Sequence, residues 1–127
     1  MFKNAPPREG DASPWGRIDN VTPLGPEAVS VTTPSHGGIW VTPDALERIP
    51  QPLRATAYSG GGWFEEDCDW CIPYLALGLH RFDGPQDRQD RVLAAARRTL
   101  LTYHAGGAVL LNAAGSAATS CEEAIDD

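Results

Sequence analysis

Thirteen glycines and eleven prolines in 127 residues constrain this chain more than any other feature. Proline lacks a backbone N–H and disfavours helical geometry in the residue before it, while glycine weakens helices and strands alike. Regular structure must therefore come in short pieces joined by many turns. The longest helix is expected over residues 85–104, between Pro85 and Gly106, where Val92, Ala96, Leu100 and Tyr103 form an apolar stripe with Leu93 and Ala95 beside it. Asp83 and Gln86 have capping-box spacing at its start, and Gly106 supplies a stop.

Upstream, Ala28 to Thr33 alternates apolar and small polar residues with β-branched enrichment, and Ile39 to Thr42 resumes that pattern after Pro34-Ser35-His36-Gly37-Gly38. The pair predicts an antiparallel hairpin over 28–33 and 39–42 with His36 in a five-residue tip. Thr42-Pro43-Asp44 is a helix start, with a hydroxyl N-cap, proline at the first position and an acid in the first turn. That helix should span 43–48 and stop before Pro50. After Ser59-Gly60-Gly61-Gly62, the run Trp63 to Trp70 reads as the first turn of a further helix, because carboxylates complement exposed N–H groups there. This helix is expected over 64–79, burying Cys68, Ile72, Leu75 and Leu79 and kinked at Pro73. Trp15, between turn formers, should anchor the chain on the core.

The sum is an α+β fold: a small antiparallel sheet packed on one side against two or three helices. Residues 1–12 are expected to be a flexible arm, 13–111 a single compact domain, and 112–127 a disordered acidic tail. No apolar run reaches membrane-spanning length and the start lacks a signal-peptide core, which predicts a soluble, cytoplasmic protein with no membrane association.

The net charge is −7, which argues against direct nucleic-acid binding by phosphate neutralisation. Four of the acids follow Ala105, so the body is only mildly acidic apart from Glu65, Glu66, Asp67 and Asp69. The arginines from Arg81 to Arg98 could neutralise that patch from within the molecule. Three cysteines, one in the expected tail, predict no disulfide framework and a reducing compartment. Cys68 and Cys71 have zinc-knuckle or redox spacing but no second pair; two small apolar residues of a packed helix are the favoured reading.

Three patterns could carry function. Ser35-His36-Gly37-Gly38 sets an imidazole beside glycines, either as an anion nest or as an ordinary turn. The carboxylates at 65, 66, 67 and 69 could cap a helix, meet a partner or do acid–base work, but on a helix they cannot all converge on one ion. A Cys68–His36 nucleophile pair is disfavoured, because neighbouring carboxylates oppose the thiolate.

Ser13-Pro14-Trp15-Gly16, Ser35-His36-Gly37-Gly38 and Gly61-Gly62-Trp63-Phe64-Glu65-Glu66-Asp67-Cys68-Asp69-Trp70 together resemble a small domain of unknown function found in phage and plasmid genes. The resemblance covers residues 13 to 104 and implies a mobile-element setting alongside antirestriction or transfer genes, with no inherited catalytic residue. Cys71 and Pro73 depart from the aliphatic run expected after the acidic motif.

The function expected on these grounds is a non-enzymatic phage or mobile-element protein that binds and inhibits a bacterial defence component, of anti-CRISPR or antirestriction type. Its partner would be a host protein with a basic, nucleic-acid-binding surface, met by Glu65, Glu66, Asp67, Asp69, Trp63, Trp40 and His36. No cofactor and no metal are expected, and the protein would be a monomer or homodimer in the bacterial cytoplasm. The competing expectation is a small metal-dependent or Cys/His hydrolase using His36 with Glu66, Asp67 or Cys68. A homo-oligomeric scaffold with tryptophans at its interface is a third.

Overall fold

The computed structural model of the protein describes residues 5–106 and Leu111. The start of the expected arm and the expected tail, with Cys121, lie outside the described residues. Four strands form an antiparallel sheet in the order β3 (Asn20–Pro23), β4 (Ala28–Thr32), β5 (Gly37–Val41) and β6 (Trp63–Glu65). A two-stranded ribbon, β1 (Ala12–Ser13) and β2 (Gly16–Arg17), precedes them. Helices α1 (Pro43–Glu47), α2 (Cys71–Leu77) and α3 (Gln86–Tyr103) complete the α+β fold, with 3₁₀ turns at Gln51–Arg54, Ser59–Gly61 and Leu79–Phe82.

Side-chain alternation gives the sheet two covered faces. Ala28, Ile39, Val41 and Phe64 point to the helices, where they join Ile49, Leu53, Ile72, Leu77, Ala96 and Leu100 in the larger core. Val29, Val31 and Trp40 point the other way and pack with Ile18, while Trp15, Val21 and Trp63 border them. The helices cover one side of the sheet, as expected, and this second cover lies on the other. It also explains why β5 is buried at every position: a central strand covered on both faces loses the apolar/polar alternation. The ribbon begins inside the expected arm, since Gly10 N–H donates to Ile18 O at 2.8 Å and Ala12 pairs with Arg17.

The hairpin forms with slightly different bounds. Its tip is Thr33–His36, and Gly37 and Gly38 belong to β5. A Cβ on Gly37 would lie 2.6 Å from Val31 O, and one on Gly38 would strike Phe64 O and come within 2.5 Å of the Trp15 ring. These glycines permit close approach within the sheet and do not make the turn. Thr42 caps α1 as expected, accepting from Ala45 N–H at 3.2 Å, and Arg48 holds Glu27 through both terminal guanidinium nitrogens.

The helix expected over 64–79 is absent as such. Trp63–Glu65 is a strand against β5, a turn follows, and helix starts only at Cys71. Pro73 is the third residue of α2, where an N–H would have no helical partner, so it causes no kink. The buried residues are Cys71, Ile72, Pro73, Tyr74 and Leu77, whereas Cys68 and Leu75 are half-buried and Leu79 belongs to the next 3₁₀ turn. Gly78 ends α2 in the left-handed region, φ 66°, and its N–H donates to Tyr74 O.

Helix α3 matches its expected span closely, but its caps differ. No capping box forms: Pro85 is the N-cap, and Asp83 instead accepts the Tyr74 hydroxyl at 2.8 Å. The helix ends at Tyr103, with His104 rather than Gly106 at its C-cap, and Tyr103 is 60% exposed and off the buried stripe. Arg88 and Arg91 face Asp83 and Asp87 at 3.5 and 3.0 Å. Among the described residues, no arginine ion pair reaches the acidic run.

Candidate functional site

The three motifs, far apart in sequence, meet at one end of the sheet. Trp15 lies over Gly38, where only a missing side chain leaves room. Its ring stands edge-on to Trp63 at 5.7 Å and to Tyr58 at 6.0 Å, a favourable arrangement for aromatic quadrupoles. The Trp15 carbonyl accepts from Ser35 Oγ at 3.1 Å and Thr33 Oγ1 at 3.2 Å, tying the ribbon to the hairpin tip. Across the tip, His36 Nδ1 lies 3.7 Å from Glu66 Oε2, and Glu66 N–H donates to Gly37 O at 3.0 Å.

The acidic run divides into two roles. Glu65 reaches over the turn that follows it: Oε1 accepts from Cys68 N–H at 2.9 Å and from the Cys68 thiol at 3.4 Å. Its carbonyl accepts from Trp70 N–H at 2.9 Å. Burial pushes the Glu65 carboxyl pKa up, but the donors from Cys68 and Asp67 outweigh it and hold the group below its ordinary value. Burial, together with the bond to Glu65 and the nearby acids, drives the Cys68 thiol up to about 11. Burial also raises Asp69, despite His104 Nε2 at 3.1 Å.

His104 was not among the residues singled out from sequence. Its Nε2 also lies 2.9 Å from Cys68 O, so the proton that serves this carbonyl sits on that nitrogen. It thereby fastens the end of α3 to a turn 35 residues earlier in the chain. A histidine at the C-cap of a helix is a sequence signal for a C-terminal contact, but nothing local names the partner. Glu66 and Asp67, by contrast, point outward and are exposed, as is His36.

Over residues 8–108 the sequence matches the family described as a domain of unknown function, DUF7007. The chain belongs to the DUF7007 family. No curated protein and no solved structure matches it.

In this DUF7007 domain, Glu65, Cys68 and Asp69 each place a ligand atom within 4.8 Å of the others, a set that could hold a soft divalent ion. Each is nevertheless engaged already, Glu65 with the Cys68 N–H and thiol and Asp69 with His104. This donor set therefore fits a self-capped turn. Trp40 is 7% exposed and packs in the second core, supporting the surface from beneath. Trp63 is half-buried, and Tyr58, 44% exposed, is a further aromatic of the cluster that sequence reasoning passed over.

Proposed function

We propose that the protein is a non-enzymatic binding protein whose recognition surface is the meeting point of the three motifs. One observation carries this reading: the groups of the acidic run best suited to chemistry are spent on holding its turn, leaving Glu66 and Asp67 outward. A protonated thiol that donates to its neighbouring carboxylate is a poor nucleophile. Rigidly held aromatics beside exposed carboxylates suit a partner surface instead, since aromatic anchors dominate binding energy and charge complementarity steers encounter.

The partner proposed is a host protein with a basic, nucleic-acid-binding surface, and the role is inhibition of a bacterial defence component, of anti-CRISPR or antirestriction type. The resemblance to phage and plasmid domains and the net charge of −7 support this assignment. The test is expression in bacteria carrying a defined restriction or CRISPR system, followed by challenge with a targeted phage. Raised plating efficiency that falls when Glu66→Gln, Asp67→Asn and Trp63→Ala are combined is the expected result, with thermal melting confirming the fold. Unaltered plating efficiency against every such system tested refutes the role.

A further inference from the structure

A second site, away from the motif cluster, lies in a groove of about 480 Å³ between the β3–β4 corner of the sheet and helices α2 and α3. This volume falls in the range of small-molecule pockets. Leu24, Val92 and Ala95 supply apolar lining, and Trp70 and Tyr74, packed edge-on at 5.2 Å, add aromatic surface. Arg88 and Arg91 stand on its rim, three residues apart on one face of α3.

The sheet side of the groove breaks the core pattern. On the helix-facing side of β4, Ala28 joins the core but the next residue on that face is Ser30. Thr22 is its register partner on β3 and also lines the groove. Among the described residues, neither hydroxyl has a hydrogen-bond partner. Thr22 is exposed on the edge strand β3, where a hydroxyl is ordinary, whereas Ser30 is half-buried on β4 and is a polar side chain at a position that patterning would make apolar. At the far end, Asp83 accepts the Tyr74 hydroxyl at 2.8 Å and keeps its other oxygen 3.5 Å from Arg88 Nε.

We infer that this groove binds a small planar organic anion. The flat body lies against Trp70, Val92 and Ala95, the Thr22 and Ser30 hydroxyls meet its polar edge, and Arg88 and Arg91 receive the anionic group. Both arginines are more than half exposed; Asp87 is exposed as well, so its pair with Arg91 holds weakly, while Asp83, the partner of Arg88, is only 15% exposed. Their remaining N–H groups are free to turn inward, and a guanidinium fork matches a carboxylate or a phosphate.

Both sources of that anion are testable on the whole chain. Adenosine 5′-monophosphate and 1-naphthoate serve as probes, with adenosine and 1-naphthol as their neutral counterparts, read by NMR shifts of the Ser30 and Val92 amides and the Trp70 indole. At least one anion is expected to shift these signals, and the responding probe identifies phosphate or carboxylate as the source. Its neutral counterpart and the Arg88→Gln/Arg91→Gln variant should bind about tenfold or more weakly, the effect of losing one charge-assisted hydrogen bond. Ser30→Leu, which fills the groove with an apolar side chain, should abolish the shifts without lowering the melting temperature. The inference is overturned if neither anion perturbs the groove at millimolar concentration, if the neutral counterpart binds equally well, or if either variant retains full affinity.

Discussion

Gly38→Ala isolates the contact on which the motif cluster rests. Alanine is conformationally welcome in a strand, and in open space the change stabilises by about 0.4–1 kcal/mol through the unfolded chain. Here the new methyl would strike Phe64 O, a carbonyl of the paired strand β6, and stand 2.5 Å from the Trp15 ring. Neither neighbour can yield without parting β5 from β6 or lifting Trp15 off the sheet. Overpacking costs about 1–3 kcal/mol, and with rigid groups on both sides we take the upper end. After the offset, the net loss is about 2 kcal/mol, corresponding to a fall in melting temperature of about 7 °C for a domain of this size. Urea titration followed by tryptophan fluorescence should show a lower midpoint with an unchanged slope. Repeating the substitution in a Trp15→Ala background should reduce the penalty by about 1 kcal/mol, because residues in contact are not additive. A variant within about 0.5 kcal/mol of the parent, or the same penalty in both backgrounds, would refute the placement of Trp15 over Gly38.

Other outcomes follow from the acidic turn and the caps. Because the folded pKa of Glu65 lies below its unfolded value, its stabilising effect is complete above the ordinary 4.5 and is lost as pH falls through the folded value. Glu65→Gln should flatten that part of the acid-unfolding curve; identical curves would remove the carboxylate from the turn. The Cys68 thiol, pushed up to about 11 from 9.0, should carry roughly 100-fold less thiolate at neutral pH than an unperturbed group. Site-resolved alkylation should therefore be slow at Cys68 and faster in Glu65→Gln. Thr42→Ala should cost about 1 kcal/mol in denaturant titration, the usual value of a hydroxyl cap. Tyr74→Phe leaves Asp83 Oδ2 without its 2.8 Å donor and should cost about 1–3 kcal/mol.

What could be read from sequence was local. The hairpin, expected over 28–33 and 39–42, the Thr42 cap and α3 all announce themselves within a few residues, through alternation, capping chemistry and helical periodicity. The stretch from Trp63 to Trp70 misled because its carboxylates satisfy the rule for a helix N-terminus while its backbone is claimed by β5, over twenty residues upstream. Glu65 does serve the entry to α2, but from a strand and through a turn. The second covered face of the sheet depends on Ile18 and Trp15 folding back, which no window of local sequence contains. Within the site, the acidic run and His36 were recognisable as residue types. His104 was not, since its meaning comes from Cys68 and Asp69, which the fold delivers from another part of the chain.

The ribbon that carries Trp15 acts as a lid sewn to the front of the chain. Cutting the protein after Ile18 would bare Val29, Val31, Trp40 and Trp63 together on a sheet whose other side is already full. A shortened chain would then have to cluster, or borrow the same strip from a neighbouring copy.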